Sequence, residues 1–182
     1  MSEFSDNYNL RSYNRNDGVN LLKKAKLKGF VFPETNGWIT LVAEGSKLTP
    51  NNKLIEANNG NLIHFVNAED YGLYFSIYNS NKRICHYECT WLEDIAINDN
   101  NLDLNILIDF IENNNIKGKI DRKDLIRILH PQNFEEISED PSVSSHIVNM
   151  FALENCDWVS FDDVARDYFG DKKIYPDLLF VE

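Results

Sequence analysis

Between Leu54 and Trp91 apolar and polar residues alternate with the two-residue period of a strand, whereas from Leu104 onward the apolar residues return at helical spacing. The chain therefore reads as sheet first and helices afterwards. Gly37 to Glu44 alternates after Pro33, and Asn59-Gly60, between Lys53–Asn58 and Asn61–Asn67, is a two-residue hairpin signal, because both central positions of such a turn favour positive φ. Tyr71–Tyr78 and Arg83–Trp91 form a further pair. Leu73, Phe75 and Ile77 share one face of the first member, and Cys85, Tyr87, Cys89 and Trp91 share one face of the second. Placing both sets on the same side demands an odd connection such as Tyr78 to Lys82, since a one-residue slip would turn every side chain over. The expected sheet has about five antiparallel strands, largely a meander.

Upstream, Met1 to Asn16 is polar and Asn-rich and is expected to fray or pack loosely. Asp17 offers an N-cap, and Leu21, Leu22, Ala25 and Leu27 lay an apolar stripe that ends at Gly29, a good residue for the left-handed position after a helix. The lysines crowding its last turns, Lys23, Lys24, Lys26 and Lys28, sit where the helix dipole favours cations.

Downstream of a polar joint at Asn98 to Asp103, the stripe Leu104, Leu107, Ile108 and Ile111 predicts a helix stopped by Asn113-Asn114-Asn115. Ile120-Asp121 followed by Asp124-Leu125 predicts a staple and cap opening a short helix to His130, ended by Pro131. Val143, Ile147, Met150 and Phe151 predict another, and Val159-Ser160 with Asp163-Val164 repeats the staple and cap before Gly170. The tail from Ile174 to Val181 reads as a final extended segment, confined to a sheet edge by Pro176. The class is α+β: an α+β sheet domain over residues 1–115 and a helical C-terminal subdomain over 116–182, which either stands alone or packs with the sheet as one unit.

A chain of 182 residues suits one domain with at most a small attachment, and 43% hydrophobic with 12% aromatic content excludes the disordered class. The formal charge of −11 disfavours nucleic acid and anionic membranes and favours a basic protein partner. No stretch approaches the roughly 18 consecutive apolar residues of a membrane span. The first ten residues, with Glu3 and Asp6, resemble neither a leader nor a lipid-anchor motif, so a cytoplasmic protein is expected. Cys85 and Cys89 are about 13 Å apart on an extended strand, beyond the roughly 4.4–6.8 Å Cα separation of a disulfide. With Cys156 they are expected to be free thiols.

Several chemical constellations are suggestive but incomplete. Asn113 to Asp124 resembles a degraded EF-hand loop, with Gly118 and Ile120 in place but Lys117 where an oxygen ligand belongs. The second unit, Ala152 to Asp163, lacks the central glycine. Cys85-His86-Tyr87-Glu88-Cys89 looks like a zinc fragment, yet on a strand the two cysteines face away from His86 and Glu88. A Cys-His pair drawn from Cys85, Cys89 or Cys156 and His64, His86, His130 or His146 is not singled out by spacing, and Asp157 makes the setting of Cys156 unfavourable to a thiolate. His64 and His86 share the sheet face opposite the large aromatic set. Phosphate-binding glycine loops, nucleophile elbows and zincin motifs are absent from the sequence. Neither a cofactor nor a metal is expected.

What remains is a set of aromatic and acidic residues around the sheet: Trp38, Glu44, Glu69, Asp70, Tyr71, Tyr74, Tyr78, Trp91, Glu93 and Asp94. Tyr and Trp bring rigid contact area to interfaces, and carboxylates beside them steer and pair with basic partners. The segment from Gly37-Trp38-Ile39-Thr40 through Ala68-Glu69-Asp70-Tyr71-Gly72 to Tyr87-Glu88-Cys89-Thr90-Trp91 resembles that of small, acidic, largely uncharacterised proteins of low-GC Gram-positive bacteria, some of which are thought to be immunity partners of secreted toxins. The resemblance implies a non-enzymatic interaction protein masking a basic toxin such as a nuclease, with no residue roles carried over. The alternatives are a small hydrolase or transferase with a carboxylate or His64/His86 site between sheet and helices, and a regulatory helical module built on the EF-hand-like pair.

Overall fold

The opening residues, expected to fray, instead form a strand, β1 (Phe4–Arg11), inside an eight-stranded antiparallel sheet. This computed structural model describes residues 4–114, 121–139, 141–156, 158–170 and 177–182. The sheet continues with β2 (Gly29–Thr35), β3 (Trp38–Ala43), β4 (Asn61–Ala68), β5 (Gly72–Asn79), β6 (Lys82–Thr90), β7 (Ala96–Asn98) and β8 (Leu179–Val181). Its spatial order is β7-β6-β5-β4-β1-β3-β2-β8. The expected meander is present from β4 to β7; β1 inserts between β4 and β3, which raises the count well above five.

The polar composition of β1 hid it, because Asn, Asp and Ser have low strand propensity and only tertiary context reverses that preference. Asp6, Tyr8 and Leu10 face one side, and Ser5, Asn7 and Asn9 the other, all of them buried. The asparagines are partly satisfied inside: Asn9 donates to Asn7 at 2.8 Å and accepts from the Thr40 hydroxyl at 2.9 Å, while Asn7 Nδ2 and Ser5 Oγ have no hydrogen-bond partner among the described residues. Such pairing is what makes a buried polar strand tolerable.

Several local expectations fail for physical reasons. Residues Asn52–Ala57 form a short helix, α2, capped by the Asn51 side chain, so Asn59-Gly60 joins a helix to β4 rather than closing a hairpin. The first helix, α1 (Arg15–Ala25), is capped by Asn14, not Asp17, and Lys26 takes the left-handed position (φ 56°). Gly29 thereby becomes the start of β2, where a side chain would clash with the Val42 carbonyl. The β5–β6 connection is an even turn through Ser80 and Asn81, and a bulge between Ile77 and Tyr78 makes the register correction that an odd loop would have made. Leu73, Phe75 and Ile77 consequently lie opposite Cys89, Tyr87 and Cys85, on the expected common face.

That face is covered by α3 (Leu104–Asn114), α4 (Arg122–Leu129), α5 (Phe134–Ser138), α6 (Val143–Met150) and α7 (Phe161–Gly170). Phe75 packs on Tyr87 with ring centroids 5.4 Å apart and on Phe151 at 5.2 Å. Burying a side chain of this size stabilises by about 1.5–3 kcal/mol. The caps at Asp121 and Ser160 are used as expected, and α5 is an addition. Among the described residues β8 pairs with β2 alone, at the sheet edge; Ile174 and Pro176 lie outside the described residues. Over β1, β2 and β3 the opposite face is covered by α1 and α2, with Leu21, Leu22 and Leu54 packing on Leu10, Ile39 and Leu41. Sheet and C-terminal helices contribute to the same buried core. No helix among the described residues is long and apolar enough to cross a membrane.

Candidate functional site

The β4–β5 turn and the β6–β7 loop meet at one end of the sheet because Ala68 pairs with Gly72, and Gly72 with Thr90. Gly72 is required there: a side chain would meet the Cys89 carbonyl oxygen at 2.6 Å. Trp91 laces the two loops together, its backbone N–H donating to Tyr71 O at 3.1 Å and its indole Nε1 to Glu69 O at 2.8 Å. The lacing presents Glu69, Asp70, Glu93 and Asp94 as exposed carboxylates around Tyr71, 51% exposed, and Leu92, 64% exposed. None of the four acids forms an ion pair among the described residues. Six of the ten expected contact residues thus converge on this end.

The other four do not join it. Trp38 is buried at the far end of β3 beneath the Arg11 guanidinium, 5.2 Å from its ring, and Tyr78 is buried against Leu62 and Leu10, so both are corrected to core residues. Glu44 is exposed at the end of β3, separated from β4 by β1. Tyr74 is half-buried on the flat of the sheet and serves another arrangement.

That arrangement is a polar row on the face carrying α1 and α2. Tyr8, His64, Ser76 and His86 are successive cross-strand partners over β1, β4, β5 and β6, so the two histidines do share a face. His64 is fully buried, pairs through Nε2 with Asp6 at 2.9 Å and stacks on Tyr8 at 4.4 Å; its Nδ1 has no partner among the described residues. Residues 44–51 lie across this row as a strap. Leu48 N donates to Asp6 at 2.8 Å, Asn51 N donates to the Tyr8 hydroxyl at 2.8 Å, and the Tyr74 hydroxyl donates to Leu48 O. Leu48 is held at φ 57°, a conformation costing a non-glycine residue about 1–2 kcal/mol. Burial, above all, raises the Tyr8 and Tyr74 phenols well beyond their usual range, so both stay neutral hydrogen-bonding groups.

The chemistry open to this row is limited by access. Ser76 Oγ lies 2.8 Å from His86 Nδ1, a nucleophile-base distance, yet Ser76 and His64 have no exposed surface. Burial first, and Arg83 second, lowers the proton affinity of His86. The unfolded chain therefore binds the extra proton more readily, and the stability this neutral histidine contributes is present above about pH 6.5 and lost as pH falls below it. The urea midpoint of the wild type should fall between about pH 7.5 and about pH 5 by more than that of His86→Gln; equal falls in the two proteins would remove His86 as the cause.

Cys85 and Cys89 face the helices while His86 and Glu88 face the opposite side, as strand alternation requires. Burial pushes the Cys85 thiol up to about 12, which leaves it inert at neutral pH. Of the EF-hand-like loops, Asn115 to Ile120 lies outside the described residues, as does Asp157. In the second unit the Val159 carbonyl accepts from Asp6 N, and Asp163 takes part in the Ser160 cap of α7. Sequence reasoning passed over Asp6, Leu48 and Leu92 as site residues and weighed Glu88 only in the zinc fragment. Only Asp6 carried a signal, as the polar member of the alternating set Asp6, Tyr8, Leu10. No protein-family model, curated protein or solved structure matches the chain.

Proposed function

We propose that this chain is a non-enzymatic interaction protein that captures and masks a basic protein, with the laced end of the sheet as the contact surface. The observation that supports it is the convergence, on two loops joined by Trp91, of four exposed carboxylates without an ion pair among the described residues, together with the exposed apolar surfaces of Tyr71 and Leu92. Carboxylates of one sign accelerate encounter with a basic partner, and the central aromatic and aliphatic side chains slow its release. A secreted toxin with a positively charged surface, such as a nuclease, is the partner class this reading favours. A hydrolase on the His64/His86 row is less well supported, because its hydroxyl and one of its imidazoles are sealed.

Affinity capture from the host's lysate and secreted fraction, at low salt and at about 0.15 M, tests the proposal. A basic protein should be retained, released by rising salt, and lost when Glu69, Asp70, Glu93 and Asp94 are replaced by lysine. With that partner, the association rate should drop at least about tenfold in the fourfold variant and become nearly independent of salt. All four side chains are exposed, so the variant should fold normally. Retention that is indifferent to both salt and charge reversal would defeat the proposal.

A further inference from the structure

Beside the acidic end, on the same face of the sheet as α1 and α2 but lined by neither helix, lies a cavity of about 310 Å³. Its floor is Val66 and Ala68, its walls include Tyr71 and Tyr74, Glu88 stands in one side, and Lys47 of the strap contributes the other charged group. Pockets for small molecules begin at about 300 Å³, so this one is of a size for a single side chain or a small fragment. We propose that it receives one arginine side chain of the basic partner. The inference rests on the function proposed above and names the chemistry of its central contact.

Four features fit a guanidinium on a flexible stem. The apolar floor suits the methylenes, which are commonly buried while the charged head is kept at a polar rim. Two tyrosine rings offer π surfaces, to which a planar guanidinium is attracted by about 0.5–2 kcal/mol, and the Tyr74 ring is held in place by its hydroxyl bond to Leu48 O. Glu88 makes no ion pair among the described residues and receives only a long 3.5 Å hydrogen bond, from Asn98. A carboxylate so placed can take the two-pronged pairing that arginine, unlike lysine, provides. The neighbouring His86, neutral at pH 7 by its lowered proton affinity, adds no competing cation. Tyr71 belongs to both the pocket and the acidic end, so a partner steered by Glu69, Asp70, Glu93 and Asp94 arrives at the pocket mouth. Lys47 opposes the arriving charge, but it is exposed on the strap.

The test uses the full-length chain and a probe independent of any partner. Nα-acetyl-arginine amide is titrated against the isotopically labelled protein, with the amides of Val66, Ala68, Tyr74 and Glu88 followed by two-dimensional NMR. These should shift saturably, with the neutral isostere Nα-acetyl-citrulline amide at least about tenfold weaker. Glu88→Gln should reduce arginine binding about tenfold and leave citrulline unchanged, while Lys47→Ala should strengthen arginine binding several-fold. Citrulline binding as tightly as arginine would make the pocket a receptor for uncharged ligands and overturn the assignment. So would arginine shifts confined to residues 69–71 and 91–94, or no shift at millimolar probe. Concentration-dependent shifts of the same amides without probe would show a second copy of the chain in the pocket, and would overturn it too. Because charge reversal at the four loop acids leaves Glu88 untouched, failure of the pocket and failure of the acidic surface are read in separate experiments.

Discussion

Asp6→Ala should cost the fold about 3–5 kcal/mol, read as a lowered urea midpoint, and should abolish hydrogen-exchange protection at Leu48 and Asn51. The carboxylate is 1% exposed and holds two groups at once: His64 Nε2 at 2.9 Å and Leu48 N at 2.8 Å. Without it both are left buried and unsatisfied, each at a cost of about 1–3 kcal/mol. The left-handed conformation of Leu48 then loses one of its restraints, since the strap is otherwise tied to the row only by Tyr8 and Tyr74. Asp6→Asn keeps an acceptor of the same shape and should lose less, about 1–2 kcal/mol. Total stabilities are of the order of 5–15 kcal/mol, so the alanine variant forfeits a large share. A loss below about 1 kcal/mol would show that the strap is held by other contacts. Since the strap fixes the Tyr74 ring through Leu48 O and flanks the cavity, loosening it should also weaken binding of the arginine probe.

How far these arrangements could be read from the chain depended on whether one physical signal dominated at each position. The β5–β6 register was legible because Leu73, Phe75 and Ile77 and Cys85, Tyr87 and Cys89 are apolar on one face and mostly polar on the other. The caps at Asp121 and Ser160 mark α4 and α7 for the same reason: a short polar side chain precedes an apolar stripe. The acids of the β4–β5 turn and the β6–β7 loop fall where turn chemistry demands them, so their convergence follows once the strands pair. Where two signals competed, the reading went astray. Asn59-Gly60 has the composition of a hairpin turn, and a helix of only six residues, Asn52–Ala57, is too short for its period to outweigh it. Trp38 and Tyr78 were read as contact surface because aromatic residues serve interfaces and cores alike; only the position of α3 over Trp38, and of Leu10 and Leu62 beside Tyr78, decides between them. The strap has no periodic signature, since its order comes from side chains on β1 and β5.

The position of β1 makes a sharper demand on the same reasoning, and Leu10→Pro should abolish cooperative folding. Leu10 pairs with Leu62 of β4 and Ile39 of β3, so a proline there removes a ladder donor in the sheet interior, where the residue is almost never tolerated, at about 3 kcal/mol or more. Its side chain is 5% exposed and packs in the core under α1 and α2, and losing that contact adds about 1.5–3 kcal/mol. The sum is comparable to the whole stability of a typical domain. Leu10→Val, which keeps the donor and most of the burial, should cost only about 1 kcal/mol. Circular dichroism and urea titration of the two variants separate the outcomes: a valine variant with a cooperative transition beside a proline variant without one places β1 inside the sheet. A folded proline variant with a midpoint near the wild type would mean that residues 4–11 are dispensable, and would return the opening segment to the loosely packed tail that its composition suggests. The distinction bears on function as well, because β1 supplies Asp6 and Tyr8 to the strap and separates β4, which leads into the acidic turn, from β3 and β2. Loss of β1 order should therefore weaken partner capture at the far end of β4 even though no residue of β1 belongs to the proposed contact surface.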